Sequence, residues 1–379
     1  MKVKNSLRLL AAVTSLAMLV SCGESRPEYA YDAETPSLYE AYSDYFHIGA
    51  AINSWDLTDQ TSERFNLLVK HYDTFVMENE TKPDQIHPTE DTYNFGPTDA
   101  FVEFGEANGK ILRGHTLVWH SQCPQWFFED NGQEASADLL VQRMKDHITT
   151  IVSRYKGRID TWDVCNEVLD GGGMRFSDWI KIVGDYDGDG DKYDFIEIAF
   201  ETAREADPDA RLIINDYSLE SDSNKAIKMY SMVKSMLEEG VPVDGVGLQM
   251  HVGIDMDVEA ARENIKILAR LKEINPDFVI EVTELDMSCY SWNDSSTEIN
   301  FSKIEDDFNA KYVELFEMFI DLAEEGLLDS VVFWGFNDGD TWLNGYPVEG
   351  RTNYPFLMDA EYRLKSAFWE VVELPGKKS

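Results

Sequence analysis

Basic side chains are scarce in this chain. Only 33 Lys and Arg stand against 71 Asp and Glu over 379 residues, a net charge of −38. Phosphates would be repelled, so a nucleic-acid backbone is excluded as partner. Cysteine is scarce too, and four in this length do not make a disulfide scaffold. Beyond the N-terminus only Cys123, Cys165 and Cys289 remain, an odd set in which at least one thiol stays unpaired. Long hydrophobic runs are missing: the apolar run Leu9–Val20 has twelve residues, too few to span a bilayer comfortably. The composition is that of neither a collagen, a coiled coil nor a multi-span membrane protein. What is present is a chain that is 43% hydrophobic, enough to bury a large core. Aromatics reach 12%, with nine Trp, several of them outside obvious core periodicity.

The first residues read as an address. Lys2, Lys4 and Arg8 precede the apolar run, which ends in Leu19-Val20-Ser21-Cys22. That pattern fits a signal peptide over residues 1–21, and its end resembles a bacterial lipobox that leaves Cys22 as the lipidated first residue. An ordinary signal peptide beside an incidental Cys is the bland alternative. Residues 22–37, short of apolar side chains and carrying Glu, Ser and Pro, read as a lipidated tether. The expected location is outside the bacterial cytoplasm, membrane-anchored, periplasmic or at the cell surface.

From residue 46 the chain alternates. Strand-like runs occur at Phe46–Ile52, Thr74–Met77, Ile111–Trp119, Asp160–Cys165, Arg211–Asn215, Gly245–Met250, Phe278–Thr283 and Ser330–Phe336. Between them lie helical spacings. Phe308, Tyr312, Leu315, Phe316, Phe319 and Leu322 recur at three and four residues, and Ile227, Tyr230, Val233 and Leu237 predict a second apolar face. Gly109, Gly157, Gly240 and Gly326 follow helical stretches as C-terminal caps. Eight strand–helix units predict parallel strands closed into an α/β fold, a single (β/α)8 TIM barrel over residues 38–374, with 375–379 as a tail. No Gly/Pro-rich linker divides it, and no Gly-rich phosphate loop supports the runner-up, a doubly wound open sheet.

Active sites of such barrels lie at the C-terminal ends of the strands. Polar residues collect there in this sequence: Asn53, Glu78-Asn79, His115, Asn166-Glu167, Asn215-Asp216, Gln249, Glu284 and Asp286. One buried polar group has a bland structural reading. Six or seven strands ending this way is costly, because each group loses hydration and needs a partner, so a cleft is the economical account. Glu167 and Glu284 both follow apolar runs and face one cleft. Two carboxyl groups flanking a bond are what glycoside hydrolysis needs, and Trp119, Trp334 and Trp342 are suited to stack on sugar rings. A pair of Glu alone is weak evidence, since structural glutamates are common.

At these residues the chain resembles glycoside hydrolase family 10, the endo-β-1,4-xylanases. The segments that carry the likeness run in order. They are Phe46–Asn53, Glu78-Asn79 with Lys82, Arg113-Gly114-His115-Thr116-Leu117-Val118-Trp119-His120-Ser121-Gln122, and Trp162-Asp163-Val164-Cys165-Asn166-Glu167. Asn215-Asp216-Tyr217, Gly247-Leu248-Gln249-Met250-His251, Thr283-Glu284-Leu285-Asp286, and Trp334-Gly335-Phe336 with Asp338 and Trp342 complete them. The resemblance implies an endo-acting, retaining hydrolase of internal β-1,4-xylosidic bonds, with Glu167 as acid/base and Glu284 as nucleophile. It implies a substrate cleft lined by Glu78, Asn79, Lys82, His115, Trp119, Gln122, Asn166, Gln249, His251, Trp334 and Trp342. Thr81 and Pro83 flank Lys82 where the family commonly has Met and Trp. Glu284 and Asp286, two apart, share a strand face, so His251 can bridge them and, with Asp286, orient the nucleophile.

Asp185, Asp187, Asp189 and Asp191, with Gly190, resemble the first half of an EF-hand loop. The place of the bidentate Glu is taken by Ile196, with Glu197 next. The ligand spacing is right but incomplete, so a solvated acidic turn is the first reading and a structural calcium ion the alternative. No cofactor is required for the chemistry. The expected partners are xylan or xylo-oligosaccharide substrate, no nucleic acid, and a membrane only through the N-terminal lipid, for a monomeric chain. Rival readings are a metal-dependent barrel hydrolase, against which there is no His-x-His pair, a related retaining β-glucanase, and a non-catalytic glycan-binding surface lipoprotein.

Overall fold

The computed structural model describes residues 26–378. Eight parallel strands form the centre: β1 (His47–Ile52), β2 (Thr74–Met77), β3 (Ile111–Trp119), β4 (Thr161–Asn166), β5 (Arg211–Asp216), β6 (Gly245–Leu248), β7 (Val279–Ser288) and β8 (Ser330–Phe333). Neighbours in sequence are neighbours in space. β1 pairs with β8 through Gly49↔Val332, and β6 with β7 through Val246↔Ile280, so the sheet closes on itself. The strands are Val-, Ile- and Leu-rich and buried along almost their whole length, as parallel strands covered by helices must be. The chain is therefore a (β/α)8 barrel, with helices Ala137–Arg154, Ser223–Glu239 and Glu305–Glu324 among its outer layer.

Strand registers slip where the site is built. β4 slips against β5 between Asp163 and Cys165, and β7 slips against β8 between Val282 and Leu285. Such bulges re-aim side chains. They fall just before Glu167 and at Glu284. β7 also runs on to Ser288, past the expected end at Thr283, because His251–Gly253 returns to pair with it (His251↔Asp286). Glu284 thus lies within a strand rather than after one. Trp334 lies just past the end of β8.

Three expectations are corrected. In Ser223–Glu239 the buried face is Ala226, Met229, Met232, Val233 and Met236, while Ile227 is 50% exposed. The helix turns its methionine stripe inward, and Lys225 goes with it to pair with Asp216 at 2.7 Å. The expected tether is docked from residue 26 on. His71 bonds the Ala30 carbonyl at 2.7 Å, Thr35 bonds that of Tyr29, and Arg26 pairs with Glu373. Ala30 and Thr35 are buried, which gives this short segment its grip. The expected tail instead contains a short helix, Leu374–Lys378, with Pro375 buried and Lys378 paired with Asp321. Cys123, Cys165 and Cys289 are free thiols. The signal peptide, Cys22 and the first part of the tether lie outside the described residues.

Candidate active site

The C-terminal mouth of the barrel opens into a cleft of about 690 Å³. The structure brings into it every residue expected there: Glu78, Asn79, Lys82, His115, Trp119, Gln122, Asn166, Glu167, Gln249, His251, Glu284, Asp286, Trp334 and Trp342. The acidic residues Asp185, Asp187, Asp189 and Asp191 are not part of its wall.

Glu284 is buried on the cleft floor. Its Oε1 accepts from Asn215 Nδ2 at 2.8 Å, and its Oε2 meets His251 Nε2 at 3.0 Å. The other ring nitrogen of His251 meets Asp286 Oδ2 at 2.9 Å, and Trp342 Nε1 donates to that same oxygen at 2.7 Å. Burial works against a charge on His251, but Asp286 and Glu284 outweigh it and raise its pKa to about 10. The ring is therefore an imidazolium at neutral pH. Burial likewise works against the Glu284 carboxylate, but its hydrogen bond with His251 prevails and holds it below the ordinary carboxylate range. Glu284 is ionised, oriented and held by two donors.

Asn215 occupies its place because Gly247 has no side chain. A Cβ there would come within 2.4 Å of Asn215 Oδ1 and 2.8 Å of Thr283 Cγ2. Thr283 in turn donates to Asn215 Oδ1 at 2.7 Å, which aims the amide nitrogen at Glu284.

Glu167 stands on the other side, just after β4, with φ +56°. A non-glycine residue in this left-handed region is strained, and such strain collects where structure serves a site. Its backbone is held at both ends: its N–H donates to the Asn215 carbonyl at 2.9 Å, and its carbonyl accepts from Arg175 Nε at 2.8 Å. Its Oε1 accepts from Gln249 Nε2 at 3.2 Å. Gln249 and Asn215 also both donate to Asn166 Oδ1, at 3.3 and 2.9 Å, so a chain of amides joins the two glutamates. Gln122, Ser218 and Met250, three residues at or beside the cleft wall, also have positive φ.

Lys82 donates to Asn79 Oδ1 at 3.1 Å and Gln122 Oε1 at 3.0 Å, with its ammonium above the Trp119 ring at 5.1 Å. Burial lowers its pKa, opposed by Glu284 and Glu78. Glu78 Oε2 accepts from Asn53 Nδ2 at 2.8 Å. Thr81, at a departure from the family pattern, donates to the His115 carbonyl, and Pro83 opens a short helix. Beneath the floor, His115 Nδ1 meets Asp163 Oδ2 at 3.0 Å, and buried Arg113 pairs with both Asp163 and Glu281. The indole Nε1 of Trp119 is buried with no protein partner.

Sequence reasoning missed the loop residues of the wall, among them Arg175, Tyr290, Trp292, Tyr346 and Arg351. They lie beyond the strand ends, where no periodicity marks them. The one local signal among them is Trp292, a large aromatic side chain in a polar stretch, 72% exposed.

A profile described as "Glycosyl hydrolase family 10" matches residues 37–374. Among curated relatives, the chain is 42% identical over 353 residues to endo-1,4-beta-xylanase C of Paenibacillus barcinonensis, covering 91% of this chain but only 32% of that protein. The chain thus spans about a third of the length of the first curated relatives it matches. A solved structure of a family member from Paenibacillus barcinonensis superposes with a TM-score of 0.86 at 41% identity, covering 90% of this chain and 98% of that one. A mutant intracellular xylanase of Thermoanaerobacterium saccharolyticum, solved with xylotriose, superposes with a TM-score of 0.79 at 37% identity, covering 90% of this chain and 99% of that one.

Proposed function

The chain belongs to glycosyl hydrolase family 10, and from that premise we propose that it is an endo-1,4-β-xylanase cleaving internal xylosidic bonds with retention. The observation that carries this reading is the unequal setting of the two glutamates. Glu284 is held as a carboxylate by His251 and Asn215, while Glu167 is held across the cleft by the neutral amide of Gln249.

In the first step Glu284 attacks the anomeric carbon, and Glu167 gives its proton to the departing glycosidic oxygen. The C–O bond to the aglycone breaks and an ester to Glu284 forms. In the second, Glu167 takes a proton from water, the water oxygen bonds the same carbon, and Glu284 leaves as carboxylate. The two carboxyl groups perform every proton and bond transfer, so the scheme calls for no cofactor. Asn166 is placed to bond the sugar 2-hydroxyl, and Trp119, Trp334 and Trp342 to pack on ring faces. Xylan as substrate is supported by the names of the relatives and by the xylotriose complex of a neighbour.

The deciding experiment measures new reducing ends on xylan and cellulose side by side, with the first-formed anomer followed by NMR. Fast release from xylan with the β-anomer first is expected. A first-formed α-anomer would remove retention, and a preference for cellulose would move the substrate to β-glucan.

The same proposal places the enzyme, as a monomer, outside the cytoplasm on a lipid-modified Cys22. Only three residues separate that Cys from Arg26, so the barrel would ride close to the membrane. Cys22→Ser should move the enzyme from the membrane fraction to the soluble one; an unchanged distribution would remove the anchor.

A further inference from the structure

The acidic segment between the helices Asp178–Val183 and Asp194–Ala206 lies apart from the cleft and plays no part in the hydrolytic scheme. The EF-hand-like spacing of its aspartates lacks the closing glutamate, because Ile196 points into the core. The fold supplies a different acid. Carboxylate oxygens of Asp185, Asp187 and Asp194 lie within 4.8 Å of one another, and so do those of Asp189, Asp191 and Asp194. Asp194 is common to both groups.

Asp194 differs from the others in burial. It is 3% exposed, whereas Asp185, Asp187 and Asp189 face solvent. Its Oδ2 accepts the backbone N–H groups of Tyr186 and Asp187, but its Oδ1 is buried without any hydrogen-bond partner. A buried carboxylate oxygen with no donor is expensive, more so among like charges. One turn along the helix, Glu197 also holds a buried oxygen, Oε1, with no partner. No Lys or Arg pairs with any of these aspartates among the described residues.

We propose that the segment 185–194 binds a calcium ion, with Asp194 as the buried ligand shared by both halves of the loop. The donors are all carboxylate oxygens, which excludes a preference for zinc or copper. They sit on a glycine-containing loop able to adjust to a large, many-coordinate ion, which favours calcium over magnesium. The ion would tie together the two helices that flank it. The first of them carries Trp179, whose Nε1 donates to the Trp119 carbonyl at 2.9 Å, so the site buttresses the wall behind Glu167.

The test uses the full chain stripped with chelator. Addition of ~1 mM calcium should raise Tm by about 3 °C or more, and the same concentration of magnesium by much less. Terbium should show luminescence sensitised by Tyr186 and Tyr193, displaced by calcium. Asp194→Asn, which keeps an oxygen for the two backbone donors, should weaken calcium binding at least tenfold. The exposed Asp189→Asn, which leaves the buried contacts intact, should also weaken it. No calcium-dependent Tm shift in the unmodified chain, equal shifts with magnesium, or an unaltered response in both variants would overturn the proposal.

Discussion

The Nε2 of His251 lies 3.0 Å from Oε2 of Glu284, and the same ring reaches Asp286 with its other nitrogen. One imidazolium therefore spans two carboxylates on one strand face. Its pKa of about 10 lies well above the ordinary 6.5, so its contribution to stability is fully present below about pH 6.5 and lost as pH rises through about 10. Alkaline loss of stability in the wild type should therefore set in near that upper range. His251→Gln should lose about 10²-fold in kcat and should lose that pH dependence of stability. Urea unfolding of both proteins from neutral to alkaline pH checks this; an unchanged pH dependence in the variant would show that another group sets it.

Glu284→Gln should retain the fold and lose on the order of 10⁴–10⁶ in kcat, since the amide cannot attack to form the ester. Circular dichroism and a sensitive xylan assay are the paired measurements. Glu167→Ala should lose far more on xylan than on aryl xylosides with good leaving groups, which need no proton to depart. Equal losses on both substrates would count against the acid role.

Gly247→Ala tests the placement of Asn215. The new methyl would meet Asn215 Oδ1, turning the amide away from Glu284. We expect a loss of about 1–3 kcal/mol in stability from overpacking, and a fall in kcat larger than any rise in KM. Urea unfolding and steady-state kinetics on the same preparation separate the two effects.

Arg113→Met tests the charge network beneath the floor. Asp163 would lose its guanidinium partner, and Glu281 would keep only the half-buried Arg211. The cost should be about 3–5 kcal/mol, read by denaturant unfolding. Asp163 carries a lowered pKa: burial raises it, but Arg113 and His115 prevail. Its stabilisation is present above its unfolded value near 3.9 and lost as pH falls through the folded one. The wild type should therefore resist acid better than the variant.

Much of the barrel was legible because it is written locally. The strand runs are apolar and short, and the helix Glu305–Glu324 repeats its apolar set at three and four residues. Glu167 and Glu284 stood out because both follow apolar runs and fall among polar residues at the ends of most other strands; alone, either has a bland structural reading. The spacing of Glu284 and Asp286 placed both on one face, where His251 does bridge them. The face of Ser223–Glu239 was misread because two apolar sets compete there, and only packing against the barrel selected the methionines over Ile227.

The order of residues by itself determined eight alternating units, their polar strand ends and the two glutamates, since these depend on periodicities of a few residues. Only the closed barrel decided that Gln249, Asn166 and Asn215 would link those glutamates and that the segment from Arg26 would dock. Such contacts join positions far apart in sequence. Their geometry follows from strand register and bulges, which no local pattern of side chains records.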